Sequence, residues 1–171
     1  MYLYYNTYFL LKQYLFVHKI SKSFKKIIEL LKVEYYFYFC YNKNKKRGMN
    51  MPLTKNPKYI KEPTDLQCGQ AVLAMLSDKS VDEIIEIVCT ERETTLKQMF
   101  LALDILNIKY NRQKVEVNFA SELPSICILS LETPRCWHWS LYFKGTFYDP
   151  EHGVLSDFPT SNRKYYWEII K

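Results

Sequence analysis

The hydrophobic period of this chain changes once, near Asn107, and that change restricts it to a fold with helices first and a sheet second. Before Asn107 three runs read as helices. The first spans about Leu66 to Leu76, with Thr64 or Asp65 as its cap. The second, "SVDEIIEIV", is opened by Ser80 in a capping box with Glu83, and the third, "TLKQMFLALDIL", by Thr95 in a capping box with Gln98. Asn107 suits the left-handed position that ends such a helix. After it "KYNRQKVEV" alternates weakly, and "ICILSL" (Ile126 to Leu131) is a short apolar run. "WHWSLYFKGTFYD" reads as a hairpin turning at Lys144-Gly145, and "KYYWEII" as a last strand. Helices followed by antiparallel strands make an α+β class, not a βαβ series.

This pattern occupies residues 51–171; residues 1–50 have a different composition. The first 50 residues are almost all Tyr, Phe, Leu, Ile, Lys and Asn, with ten Lys and Arg against two Asp and Glu. The remainder carries fourteen against sixteen, so the net charge of +6 belongs to this leader, and the rest has no basic footprint for nucleic acid. Tyr8 to Val17, interrupted by Lys12, falls short of the ~20 apolar residues that span a bilayer, and no small-residue cleavage site follows it. We read residues 1–50 as translated upstream sequence of A/T-rich DNA, with the working domain starting at Met51 or Met49. The alternatives are a helical extension packed on the domain and a basic amphipathic membrane anchor in "HKISKSFKKIIELLKV", which is not favoured. From Met51 on, Pro52, Pro57 and Pro63 hold an extended entry segment. At this length one domain is expected.

Five cysteines, Cys40, Cys68, Cys89, Cys127 and Cys136, make an odd count without a C-x-x-C pair. Neither a disulfide framework nor a structural metal is indicated, which favours a reducing, cytoplasmic compartment. No cofactor is expected.

Chemistry concentrates at "EPTDLQCGQAVLAML", which places Cys68 at the mouth of the first helix. A helix's first turn favours a thiolate through its unpaired N–H groups and dipole. Gly69 would leave one flank of the sulfur clear for a substrate backbone. The plain alternative is a packed small hydrophobe. A nucleophilic thiol needs a base and the base an orienting partner. His138 opens one strand of the hairpin and Asp149 closes the other. With a two-residue turn Phe143 faces Thr146 and Asp149 faces Ser140, which puts His138 and Asp149 diagonally about 7–8 Å apart at the backbone. Otherwise the two merely flank a surface hairpin. Trp137 and Trp139 are expected to pack the sheet and wall a cleft, and Cys136 to be a buried strand cysteine. His152 competes with Asp149 for the orienting role, and no spacing supports a metal held with Cys136 and His138.

"CGQAVLAML" and "HWSLYFKGTFYDPEHGV" resemble the Cys and His/Asp boxes of papain-like cysteine peptidases, in the branch related to the bacteriocin-leader (double-glycine) processing peptidases. The similarity runs from about Tyr59 to Val154. It implies a papain-like fold in which Cys68 is the nucleophile, His138 the general base and then acid, and Asp149 the orienting group. The family pattern places a Gln six residues before the Cys to donate to the oxyanion; this chain has Glu62, and an ionised carboxylate donates nothing. Gln67, next to Cys68, is expected to project elsewhere. The expected function is thiol-dependent peptide bond hydrolysis on a peptide or protein substrate. Its rivals are a silent peptide-binding module on the same fold and a thiol amidase or acyltransferase.

Overall fold

The computed structural model describes residues 56–170. The expectations for residues 1–50 and for a start at Met51 lie outside them. Among the described residues three α-helices, α1 (Cys68–Ser77), α2 (Val81–Val88) and α3 (Leu96–Ile105), precede six strands. The strands are β1 (Val115–Glu116), β2 (Ile126–Glu132), β3 (Trp137–Phe143), β4 (Thr146–Asp149), β5 (Gly153–Leu155) and β6 (Lys164–Glu168). They form one sheet in the order β1-β6-β2-β3-β4-β5, every pair antiparallel. The α+β class expected from the period change is therefore present.

All ten residues of α1 are buried, as suits a helix apolar on every side. It packs against α2, α3 and β3. Its polar donors find partners inside: Gln70 Nε2 donates to the carbonyls of Thr90 (3.1 Å) and Arg92 (2.7 Å), and Ser77 Oγ to that of Leu73 (2.7 Å), while Gln70 Oε1 is enclosed without one. The helix begins later than expected and neither Thr64 nor Asp65 caps it. The Gln67 N–H closes a separate turn on the Thr64 carbonyl (3.0 Å), so Gln67 becomes the N-cap, with no side-chain cap bond. The first-turn N–H groups beside Cys68 thus face no capping side chain.

The other helices follow their sequence signals. Ser80 Oγ accepts from the Glu83 N–H (3.2 Å) while Glu83 Oε2 accepts from the Ser80 N–H (3.0 Å). Thr95 and Gln98 exchange the same pair of bonds, and Asn107 is left-handed at φ 56°. One expectation is corrected at the end of α2, where Cys89 is disulfide-bonded.

The β3–β4 hairpin turns on two left-handed residues, Lys144 (φ 47°) and Gly145 (φ 90°), the geometry a tight two-residue turn requires. Phe143 faces Thr146 and Leu141 faces Tyr148. Strand β5 was not anticipated; Gly153 pairs with Asp149 across a three-residue loop, Pro150 to His152, and residues too few to show a period form it. Ile126 and Ile128 of β2, Trp139, Leu141 and Phe143 of β3, and Trp167 of β6 join the helices in the main core. The alternate residues Cys127, Leu129 and Leu131, with Phe147, form a second cluster packed by Leu123, Leu155 and Phe158.

Gly69 joins the two halves, and its role differs from the expected one. A Cβ there would lie 2.5 Å from Thr94 Cβ and 3.1 Å from Trp139 Cδ1, so its bare face is filled by protein and not open to a substrate. Trp139 Nε1 donates to the Thr94 carbonyl (2.8 Å), which fixes both neighbours in place. Gly69→Ala is expected to destabilise the protein by about 1–3 kcal/mol through overpacking. Urea unfolding of the two proteins checks this; equal midpoints would show that Thr94 yields freely.

Candidate active site

The hairpin register determines where the polar pair meets. His138 lies two residues before Ser140 on β3, and Asp149 ends β4. His138 Nε2 comes within 3.0 Å of Asp149 Oδ2 and 3.2 Å of Oδ1. The diagonal proximity expected from a two-residue turn is thus the geometry present. Asp149 is 0% exposed and His138 3%. With Nε2 directed at the carboxylate, Nδ1 is the ring nitrogen left for another partner, and Cys68, 7% exposed at the start of α1, is near enough to raise the imidazole.

Charge follows from this arrangement. Burial alone would push His138 down, but the bonds to Asp149 and Cys68 and the charges on both outweigh it and raise the imidazole to about 10. Burial alone would likewise raise Asp149. The bond and charge of His138, with the backbone N–H and side chain of His152, reverse that and lower the carboxyl to about 2. At neutral pH the pair is an imidazolium on a carboxylate.

Glu62 is brought to the same place by the entry segment. Its N–H donates to the Pro150 carbonyl (3.1 Å), and the Tyr59 hydroxyl donates to that same oxygen (3.3 Å). Its carboxyl is half-buried, and Oε2 is enclosed without a hydrogen-bond partner. Burial holds it above the usual carboxylate range; the His138 charge opposes this, and Glu151, Asp149 and Asp65 add to it. Gln67 does project elsewhere, its Nε2 donating to the Glu91 carbonyl (3.2 Å).

Cys68 forms part of the wall of a cavity of about 460 Å³, along with Trp137, Trp139, Tyr165 and Trp167. The rings pair at 5.8 Å, Trp137 with Tyr165 and Trp139 with Trp167. Trp137 and Trp139 were expected on a cleft wall. Tyr165 and Trp167 were not, because only the placement of β6 beside β2 brings them there. Cys136 also lines the cavity, but it precedes β3 and is exposed, which corrects the expectation of a buried strand cysteine.

His152 is the residue whose part the sequence least specified. It does not replace Asp149 but binds it, Nδ1 lying 2.9 Å from Asp149 Oδ1. His138, Glu151 and His152 bring ligand-type atoms within 4.8 Å of one another. Each is already engaged by protein, the histidines by Asp149 and Glu151 by Arg135.

Stability should report the pair. A raised His138 stabilises the fold fully below its ordinary pKa of about 6.5 and loses that contribution as pH climbs to about 10. A depressed Asp149 stabilises fully above about 4 and loses it as pH falls toward about 2. The melting-temperature advantage of wild type over Asp149→Asn should therefore peak between about pH 4 and 6.5 and shrink on both sides. Thermal melts across that range check it; a constant difference would mean the two groups do not titrate as a pair.

No protein-family model matches this chain, and no curated protein matches it, so the case for its chemistry rests on its residues and their geometry.

Proposed function

We propose that the domain is a papain-like cysteine peptidase that cleaves a peptide bond through Cys68, His138 and Asp149. The observation that carries this reading is His138 held by a fully buried carboxylate and perturbed by Cys68, which sits at a helix start without a capping side chain. An imidazolium beside a thiol at a helix N-terminus is an environment in which cysteine reacts as thiolate. His138, charged at neutral pH, then acts first as an acid.

The Cys68 sulfur attacks the carbonyl carbon, and the oxygen becomes an oxyanion. As it collapses the C–N bond breaks, and His138 Nδ1–H gives its proton to the leaving amine. Water then attacks the thioester and passes a proton to Nδ1; the C–S bond breaks, which restores the thiolate and imidazolium. Substrate side chains would occupy the aromatic cavity at Cys68. The first turn of α1 and a protonated Glu62 would donate to the oxyanion.

A silent peptide-binding module is the second reading, favoured by the enclosed, unpartnered Oε2 of Glu62, which as a carboxylate would repel an oxyanion. A thiol amidase or acyltransferase uses the same steps on another acyl donor or acceptor, and product analysis with peptides and small amides separates it. No helix among the described residues is long and apolar enough to cross a membrane. A cytoplasmic site is supported by the free thiols of Cys68, Cys127 and Cys136, while the disulfide at Cys89 is evidence the other way.

Alkylation of Cys68 by iodoacetamide, read by mass spectrometry, should at pH 6 outpace that of a free thiol. His138→Ala should slow it about tenfold or more there and much less near pH 9.5, where hydroxide deprotonates the thiol unaided. Equal losses at both would indicate damage to the fold, and wild-type labelling no faster than glutathione would favour the binding module.

Peptide turnover against pH tests Glu62. Wild type should work best in mild acid, where the raised carboxyl keeps its proton. Glu62→Gln should flatten that limb and raise the rate about tenfold at pH 7–8, a cautious share of the roughly 10²–10³ seen for one oxyanion donor. Identical profiles would remove Glu62 from the oxyanion site.

A further inference from the structure

We propose that His152 is a positioning residue of this site, a second histidine whose Nδ1–H holds Asp149 Oδ1 so that Oδ2 stays aimed at His138. The inference rests on the reading of Cys68, His138 and Asp149 as the reacting set.

Asp149 is fully buried, and its two oxygens are used unequally. Oδ1 accepts the N–H groups of Glu151 (3.1 Å) and His152 (2.9 Å) and lies 2.9 Å from His152 Nδ1. Oδ2 makes the shorter contact to His138 Nε2. Two backbone donors from one turn hold Oδ1 from one side; the imidazole adds a donor from a side chain that is 47% exposed. A backbone turn alone would not require that ring. Its plane stands at 86° to the His138 ring with centroids 6.2 Å apart, so one carboxylate joins two adjacent imidazoles. A carboxylate accepts only and an aspartate ionised at neutral pH offers no proton, so Nδ1 of His152 must be the donor. Nε2 is then not needed for this contact.

The charged and titratable groups around the pair are Glu62 and Tyr59 on the entry segment, Cys68 on α1, and Glu151 with Arg135. None of these donates a side-chain proton to Asp149; among the described residues His138 and His152 do.

The donor's position gives the test. Asparagine places an amide N–H where Nδ1 lies; glutamine places it near Nε2. In the full-length protein, His138 would be titrated by NMR of its imidazole, with assignment by single-histidine variants, and Cys68 alkylation measured at pH 6. His152→Ala and His152→Gln should lower the His138 midpoint by about one pH unit and slow alkylation about tenfold, while His152→Asn keeps both near wild type. The proposal is overturned if His152→Ala leaves the midpoint in place or raises it, or if Asn rescues no better than Gln. A lowered midpoint with Asn rescue, in a protein that hydrolyses no peptide, would keep the positioning role and reject the peptidase reading.

Discussion

Burial of α1 on every side is the constraint on which the rest of this domain depends. A ten-residue helix with no solvent face cannot lie on the surface, so α2, α3 and β3 must surround it. Its interior donors need acceptors from protein, which is why Gln70 Nε2 reaches back to the α2–α3 connection. Close approach at its start then demands a residue without a Cβ. Gly69 meets that demand, and the contact with Thr94 and Trp139 sets where the sulfur of Cys68 sits relative to β3.

A second constraint is electrostatic. Placing Asp149 where no water reaches it would be costly unless every lone pair found a donor. The turn of residues 149–152 supplies two N–H groups, and the two histidines supply ring donors. The same burial that makes the carboxylate costly makes its interaction with His138 strong, so the imidazole stays charged far above its ordinary range. Glu62 lies within this field with an oxygen that nothing satisfies.

Much of this arrangement was legible because its signals are local. The capping boxes at Ser80 and Thr95 are read from residues three apart, and the Lys144-Gly145 turn from two adjacent residues. That turn determined the register, and the register placed His138 beside Asp149. The α1 boundary was misread because Thr64 and Asp65 are good caps by type, yet the chain turns between Thr64 and Gln67 before the helix begins. The purpose assigned to Gly69 was misread for a related reason, since the glycine is required by Thr94, a residue 25 positions away whose approach no local pattern reveals.

What the sequence determined by itself, then, is the order of helices and strands, the hairpin register and the His138–Asp149 encounter, because each depends on neighbours in the chain or across one tight turn. What only the tertiary structure decided is the meeting of α1 with β3, the aromatic cavity that β6 completes, and the approach of Cys68, which with Asp149 outweighs burial and keeps His138 charged. Those depend on contacts between segments far apart in sequence, where packing and the exclusion of water act, and no periodicity encodes them.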